Sequence, residues 1–274
     1  MIVQLHSPTL RLYESALMRT VTSLVVGDEY LLLVDPNWLP QEVDYIHFET
    51  EALREGRECY LLFTHSDYDH IIGYGKFPEF MTIASAAFVH NQQREDTLEQ
   101  IRAFDDDYYL TRDYPINYPP IVHPIGGDAR ELTIGEDHYV FYQSPGHNAD
   151  GLLTFNRSRG ILIVGDYLSN VEFPFIYHSL PDYHATLDKL ARIVAEEDVK
   201  VLVTGHGDHT SDREEMRHRI AESRAYLNRL ERSVRRNEIF DAAELTERYG
   251  FPRLMRKYHE ANLELVRQSA ADLP

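Results

Sequence analysis

Hydrophobic positions along the chain fall into short runs rich in β-branched and aromatic residues: 21–26, 30–34, 60–63, 139–142, 152–155, 161–164 and 201–203. Runs of that length without polar alternation predict strands buried on both faces. Between them, residues 41–54, 86–102 and 185–197 carry helical spacing and few breakers, which predicts helices alternating with the strands. After Ser211 the period changes. Met216, Ile220, Leu227, Leu230 and Val234 fall on one helical face, and a second helix is predicted over 254–268. The stretch 104–120, acidic and aromatic and closed by two prolines, has no period and is predicted as a loop. The layout is mixed α/β, with residues 1–210 as the main domain and 211–274 as a C-terminal helical extension packed on it.

Composition narrows the classes. Hydrophobic residues make up 43% of 274, enough for a sizeable core. With 27 Lys+Arg against 45 Asp+Glu the formal charge is −18, which repels nucleic-acid phosphate and argues against a DNA or RNA partner. Cys59 is the single cysteine, so an intramolecular disulfide is excluded and a buried, inert thiol expected. No segment reaches the roughly 18 apolar residues of a membrane span. The expectation is a cytoplasmic protein without a membrane partner, acting on a small molecule; a homodimer is compatible with the composition.

The chemistry sits where strands end. LLLV precedes Asp35, LLFT precedes His65, ILIVG precedes Asp166 and VLVTG precedes His206. Side chains just past the ends of strands in one sheet edge open onto a shared crevice, so these four can converge. Around the second lie His65, Asp67, Asp69 and His70, and His147 follows a Ser-Pro-Gly turn. Imidazole suits zinc and iron, and carboxylates add hard oxygen donors. A His/Asp cluster of this size is what a two-metal hydrolytic site requires.

This ordered set resembles the metallo-β-lactamase-fold superfamily of metallo-hydrolases. Its first motif matches Asp35, its H-x-H-x-D-H motif matches His65 to His70, and its P-G-H, Asp and His motifs match His147, Asp166 and His206. One position departs: Asp67 stands where most members carry a second histidine. The resemblance implies an αββα four-layer sandwich and two divalent metal ions. His65, Asp67 and His147 would hold the first, Asp69, His70 and His206 the second, and Asp166 would bridge them. Zinc is expected first, with Mn or Fe as the alternatives that the oxygen donor of Asp67 admits. A metal-bridging hydroxide would then cleave an ester-type bond: carboxylic ester, lactone, thioester or phosphoester.

Asp69 is assigned a further catalytic part, steering the nucleophile or passing on its proton. Asp35 is expected behind the ligands, orienting the histidine-bearing loop. Gly146 and Gly165 are expected to permit the turns that aim the ligands. Tyr68, Tyr177, His178 and His259 are candidates for the substrate pocket. Two other readings compete: an iron-dependent sulfur dioxygenase of the same fold, against which the full second ligand set argues, and a non-catalytic metal-binding protein, which would need a broken site.

Overall fold

The computed structural model of the chain describes residues 1–271. In chain order a first sheet forms from β1 (Ile2–His6), β2 (Leu10–Glu14), β3 (Val21–Val26), β4 (Tyr30–Val34), β5 (Glu58–Leu62), β6 (Met81–Ser85) and β7 (His123–Ile125). Its first four strands are antiparallel and the last four run parallel. The second sheet takes β8 (Arg130–Ile134), β9 (Asp137–Gln143), β10 (Leu152–Asn156), β11 (Ile161–Ile163) and β12 (Val201–Val203) in the order β12-β11-β10-β9-β8. β11 and β12 pair parallel.

Three apolar layers hold the sheets and helices together. Tyr30, Leu32 and Val34 of β4 meet Ile161, Ile163 and Val203 between the sheets. On the other face of β4, Leu31 and Leu33 pack with Val43 and Ile46 of α1 (Pro40–Arg54). Leu153, Phe155 and Leu162 of the second sheet pack with Leu187, Leu190 and Val194 of α5 (Leu180–Glu196). Strands buried on both faces need continuous apolar runs, and that is why the alternating pattern of a one-faced sheet is missing here. The result is the expected αββα sandwich. Ser179 starts α5 by accepting the Asp182 amide, and Leu180, Tyr183, Leu187, Leu190 and Val194 recur at helical spacing to form its buried stripe.

Several elements differ from the pattern-based reading. The helix predicted over 86–102 is interrupted: α3 (Ala86–Val89) ends, and Asn91 Oδ1 accepts the Gln93 amide in a local turn before α4 (Arg94–Asp107) begins. α4 therefore claims the first residues of the predicted loop, and irregular chain begins only at Tyr108. β1, β2, β6, β7 and β8 carry no apolar run long enough to announce them.

The chain after Ser211 forms α6 (Arg213–Arg236), α7 (Ala242–Tyr249) and α8 (Pro252–Ala271); residues 272–274 lie outside the described part. Met216, Leu227, Leu230 and Met255 join the apolar layer that covers the second sheet. A buried polar knot ties this tail to the loop after Asp166. Asn262 Oδ1 accepts the Ile176 amide at 2.9 Å, and its Nδ2 donates to the Pro174 carbonyl at 2.8 Å and to the Tyr226 hydroxyl. No helix among the described residues is long and apolar enough to cross a membrane.

Replacing Asn262 by Ala leaves the Ile176 N–H and Pro174 C=O buried without partners, each costing about 1–3 kcal/mol. The expected outcome is a lowered Tm by calorimetry; an unchanged Tm would show that the knot does not carry the loop.

Candidate metal centre

Strand ends bring the charged residues together as the pattern indicated. Asp35, His65, Asp166 and His206 each stand one to three residues past β4, β5, β11 and β12. Backbone bonds lock the two sheets at this edge: Val21 donates to the Gly205 carbonyl and Leu152 to the Thr64 carbonyl, both at 2.7 Å. α2 (Tyr68–Ile71), a single turn, follows Asp67 and sets Asp69 and His70 side by side. His147 is delivered by the turn after β9. Gly146 lies there at φ 135°, and a Cβ would stand 2.5 Å from the Tyr183 Cα, so only glycine fits.

Seven of the sequence-predicted residues converge. His65, Asp67, His147 and Asp166 offer donor atoms all within 4.8 Å of one another, and Asp69, His70 and His206 form a second such group. Asp166 stands at the centre. Its Oδ2 lies 3.7, 3.3 and 3.4 Å from the Nε2 atoms of His65, His147 and His206, and its Oδ1 lies 3.1 Å from His70 Nε2. Asp67 Oδ2 stands 3.5 and 3.2 Å from His65 and His147, while Asp69 Oδ2 stands 3.7 and 3.5 Å from His70 and His206. Asp67 and Asp69 thus serve two histidines each, in parallel positions.

All four rings are held from behind. His65 Nδ1 meets Thr64 Oγ1 at 2.9 Å and His70 Nδ1 meets Asp35 Oδ2 at 2.8 Å. His147 Nδ1 donates to the Phe175 carbonyl at 2.8 Å and His206 Nδ1 to that of Met18 at 2.9 Å. These partners fix the rings so that every Nε2 points inward. Asp35 also accepts the Thr64 amide and hydroxyl, so one carboxylate orients two of the histidines.

The residues fit divalent metal ions on a property of their own. Nε2 of His65 and of His70 and Oδ1 of Asp166 are buried and make no hydrogen bond. Such atoms are costly unless something is coordinated there. Donors sharing one ion at about 2.0–2.1 Å in a tetrahedral array stand about 3.3 Å apart, within the range of separations seen around Asp166. Electrostatics agree. Burial opposes ionisation of Asp166, yet the imidazoles of His206, His70 and His65 hold it well below the usual carboxylate range. Burial likewise opposes charge on His147, and Asp166 and Asp67 overcome it and raise the ring well above normal.

Of the pocket candidates, Tyr68, Tyr177 and His178 line the cleft above the cluster. The Tyr177 ring stands 5.0 Å from that of His147. His259 does not line it and is corrected: it is 1% exposed within the tail, pairing with the Tyr226 hydroxyl and the Phe240 carbonyl. Its neighbour Tyr258 lines the cleft instead. Three contributors had escaped the sequence reading. Asn148 Nδ2 donates to Asp67 Oδ1 at 2.6 Å, Thr64 holds His65, and Glu172 lines the cleft close enough for its charge to act on His206. Only the adjacency of Thr64 and Asn148 to motif residues could have signalled them.

Residues 17–206 match the sequence profile of the Metallo-beta-lactamase superfamily. The chain belongs to that superfamily. Solved structures agree on the fold. A metallo-beta-lactamase family protein from Thermus thermophilus is 19% identical with a TM-score of 0.66, over 97% of this chain and 95% of that one. The BLEG-1 B3 metallo-beta-lactamase is 17% identical with a TM-score of 0.55, over 77% of this chain and 98% of that one. The stereoselective inverting sec-alkylsulfatase Pisa1 from Pseudomonas sp. is 14% identical with a TM-score of 0.68; this chain aligns over 97% of its length and spans 51% of the sulfatase. No curated protein matches by sequence search.

Gly205 makes the superfamily site testable without touching a ligand. A Cβ there would stand 2.3 Å from Asp166 Oδ1 and 3.0 Å from His70 Cε1. Gly205→Ala is expected to displace Asp166 and lower bound metal severalfold by elemental analysis, with the circular dichroism spectrum retained; full metal content would refute the crowding argument.

Glu172 offers a second test. Burial, then the neighbouring carboxylates against the pull of His206, push it up from 4.5 to about 7. Between those values the unfolded chain has released a proton that the folded one keeps, so stability falls as pH rises through the window. In metal-stripped protein Glu172→Gln is expected to match the parent near about pH 4 and to melt higher near about pH 8. A gain equal at both would point to packing instead.

Proposed function

We propose that this protein is a dinuclear metal-dependent hydrolase that cleaves an ester-type bond of a small or medium-sized substrate. The observation that carries the reading is the pair of matched donor sets around Asp166, each with two imidazoles and one further carboxylate. Mixed nitrogen and oxygen donors suit Zn, Mn or Fe, and the carboxylate of Asp67 draws the first site toward the harder ions. Two such ions supply Lewis acidity and a water that ionises near neutral pH.

The chain's own residues do the rest. His65, Asp67 and His147 are assigned to one ion, Asp69, His70 and His206 to the other, and Asp166 to both. Asp69 has one carboxylate oxygen left to orient the attacking water and receive its proton. Asp35 and Thr64 hold the histidines so that the donor geometry exists before substrate arrives. Hydrolytic names among the structural neighbours, beta-lactamase and sec-alkylsulfatase, support the reaction class. A one-iron oxygenase would leave the second donor set without a purpose.

Protein purified without chelator is expected to carry about two divalent ions per chain and to cleave members of a carboxylic, lactone, thioester and phosphate ester panel. Asp166→Ala is expected to lose metal and turnover together. Full metal content in that variant would falsify the bridging assignment.

A further inference from the structure

The cleft over the cluster has a volume of about 1420 Å³, above the ~300–1,000 Å³ of an ordinary small-ligand site. Its charge is one-sided. Seven carboxylates line it, and Lys257 is the one lysine or arginine among the described lining residues. Three of the carboxylates are Asp67, Asp69 and Asp166 on the floor. Asp150 is buried beside Ser66 and Glu172 is half-buried at the edge of the floor, while Asp96 and Asp107 on α4 are exposed on the wall. Asp96, Gln100, Ala103 and Asp107 recur at helical spacing, so one face of α4 looks into the cleft with an acid near each end. Two divalent ions would offset the floor carboxylates, and the exposed Asp96 and Asp107 keep the walls negative. The chain's overall charge of −18 adds to this negative sign at long range.

The walls are aromatic as well. On one side Tyr68, Phe104 and Tyr108 follow one another at ring separations of 6.5 and 4.9 Å. On the other, Tyr177 and Phe175 flank Tyr258 at 6.3 and 4.1 Å. An apolar group is at home between such walls, and a cation is attracted by both the ring faces and the acids. A second anionic group, away from the reacting bond, would meet carboxylates with almost no cation to pair with.

We propose that, outside the bond it presents to the metal centre, the substrate of this protein is uncharged or cationic and places an apolar or aromatic group between the two tyrosine-bearing walls. Acyl and leaving groups bearing phosphates or carboxylates, coenzyme thioesters and nucleotides among them, are excluded. The inference rests on the hydrolase reading for which bond is cleaved; the character of the walls stands apart from it.

Two measurements on the full-length, metal-loaded protein separate them. The single tryptophan, Trp38, packs 5.6 Å from Tyr68 and 5.3 Å from Phe104 ring to ring, so its fluorescence reports what enters the cleft. Titration with acetanilide, 4-acetamidobenzoate and (4-acetamidophenyl)trimethylammonium is expected to show the carboxylate binding about tenfold or more weaker than the other two, a gap that shrinks in salt. The corresponding phenyl acetates, normalised to their rates in hydroxide, are expected to rank the same way in kcat/KM. Asp96→Asn with Asp107→Asn, both exposed positions, is expected to narrow the gap. Equal or tighter binding of the carboxylate, or no binding by any of the three, overturns the inference. The expected binding order with no cleavage of any ester leaves it standing and overturns the hydrolase reading instead.

Discussion

Four imidazoles can share one carboxylate only if each ring is prevented from turning away, and this restraint organises the metal end of the molecule. The Nδ1 partners come from widely separated parts: Thr64 after β5, Asp35 after β4, the Met18 carbonyl between β2 and β3, and the Phe175 carbonyl in the loop held by the C-terminal helices. The first sheet, the second sheet and the tail are therefore all recruited to aim one set of atoms. Remove any of them and an Nε2 loses its direction, while the buried carboxylates facing it lose the partner that makes their charge tolerable.

The same restraint explains the shape of the fold around the cluster. β4 and β5 run parallel in one sheet and β11 and β12 in the other, so their carboxyl ends face a common edge. Bonds from Val21 to Gly205 and from Leu152 to Thr64 keep those edges at a fixed spacing. Gly205 then allows Asp166 to sit where a side chain would otherwise stand. Packing between the sheets supplies rigidity, and the glycine supplies room.

How much was readable from the residues depended on whether a feature was local. The clustered residues at strand ends were legible because an apolar run and a charged residue stand next to each other in the chain, as with LLLV before Asp35 and VLVTG before His206. The order of these landmarks carried the family resemblance. Edge strands such as β1 and β8 were not legible, since half of each faces solvent and their runs are diluted by polar residues. The break between α3 and α4 turned on one asparagine bonding its own backbone. His259 was misplaced because helical spacing gives the face of a residue and not what covers that face. Glu172 escaped because its importance is electrostatic and arises only when the loop after Asp166 folds back over His206.

The C-terminal helices do more than shield the second sheet. Through Tyr258 and Lys257 they form part of the cleft, and through Asn262 they brace the loop carrying Phe175, whose carbonyl steadies His147. The family match ends at residue 206, before these helices begin. The tail thus works as a jaw against the anvil of the cluster: Tyr258 and Lys257 shape the grip, and Asn262 ties it to His147.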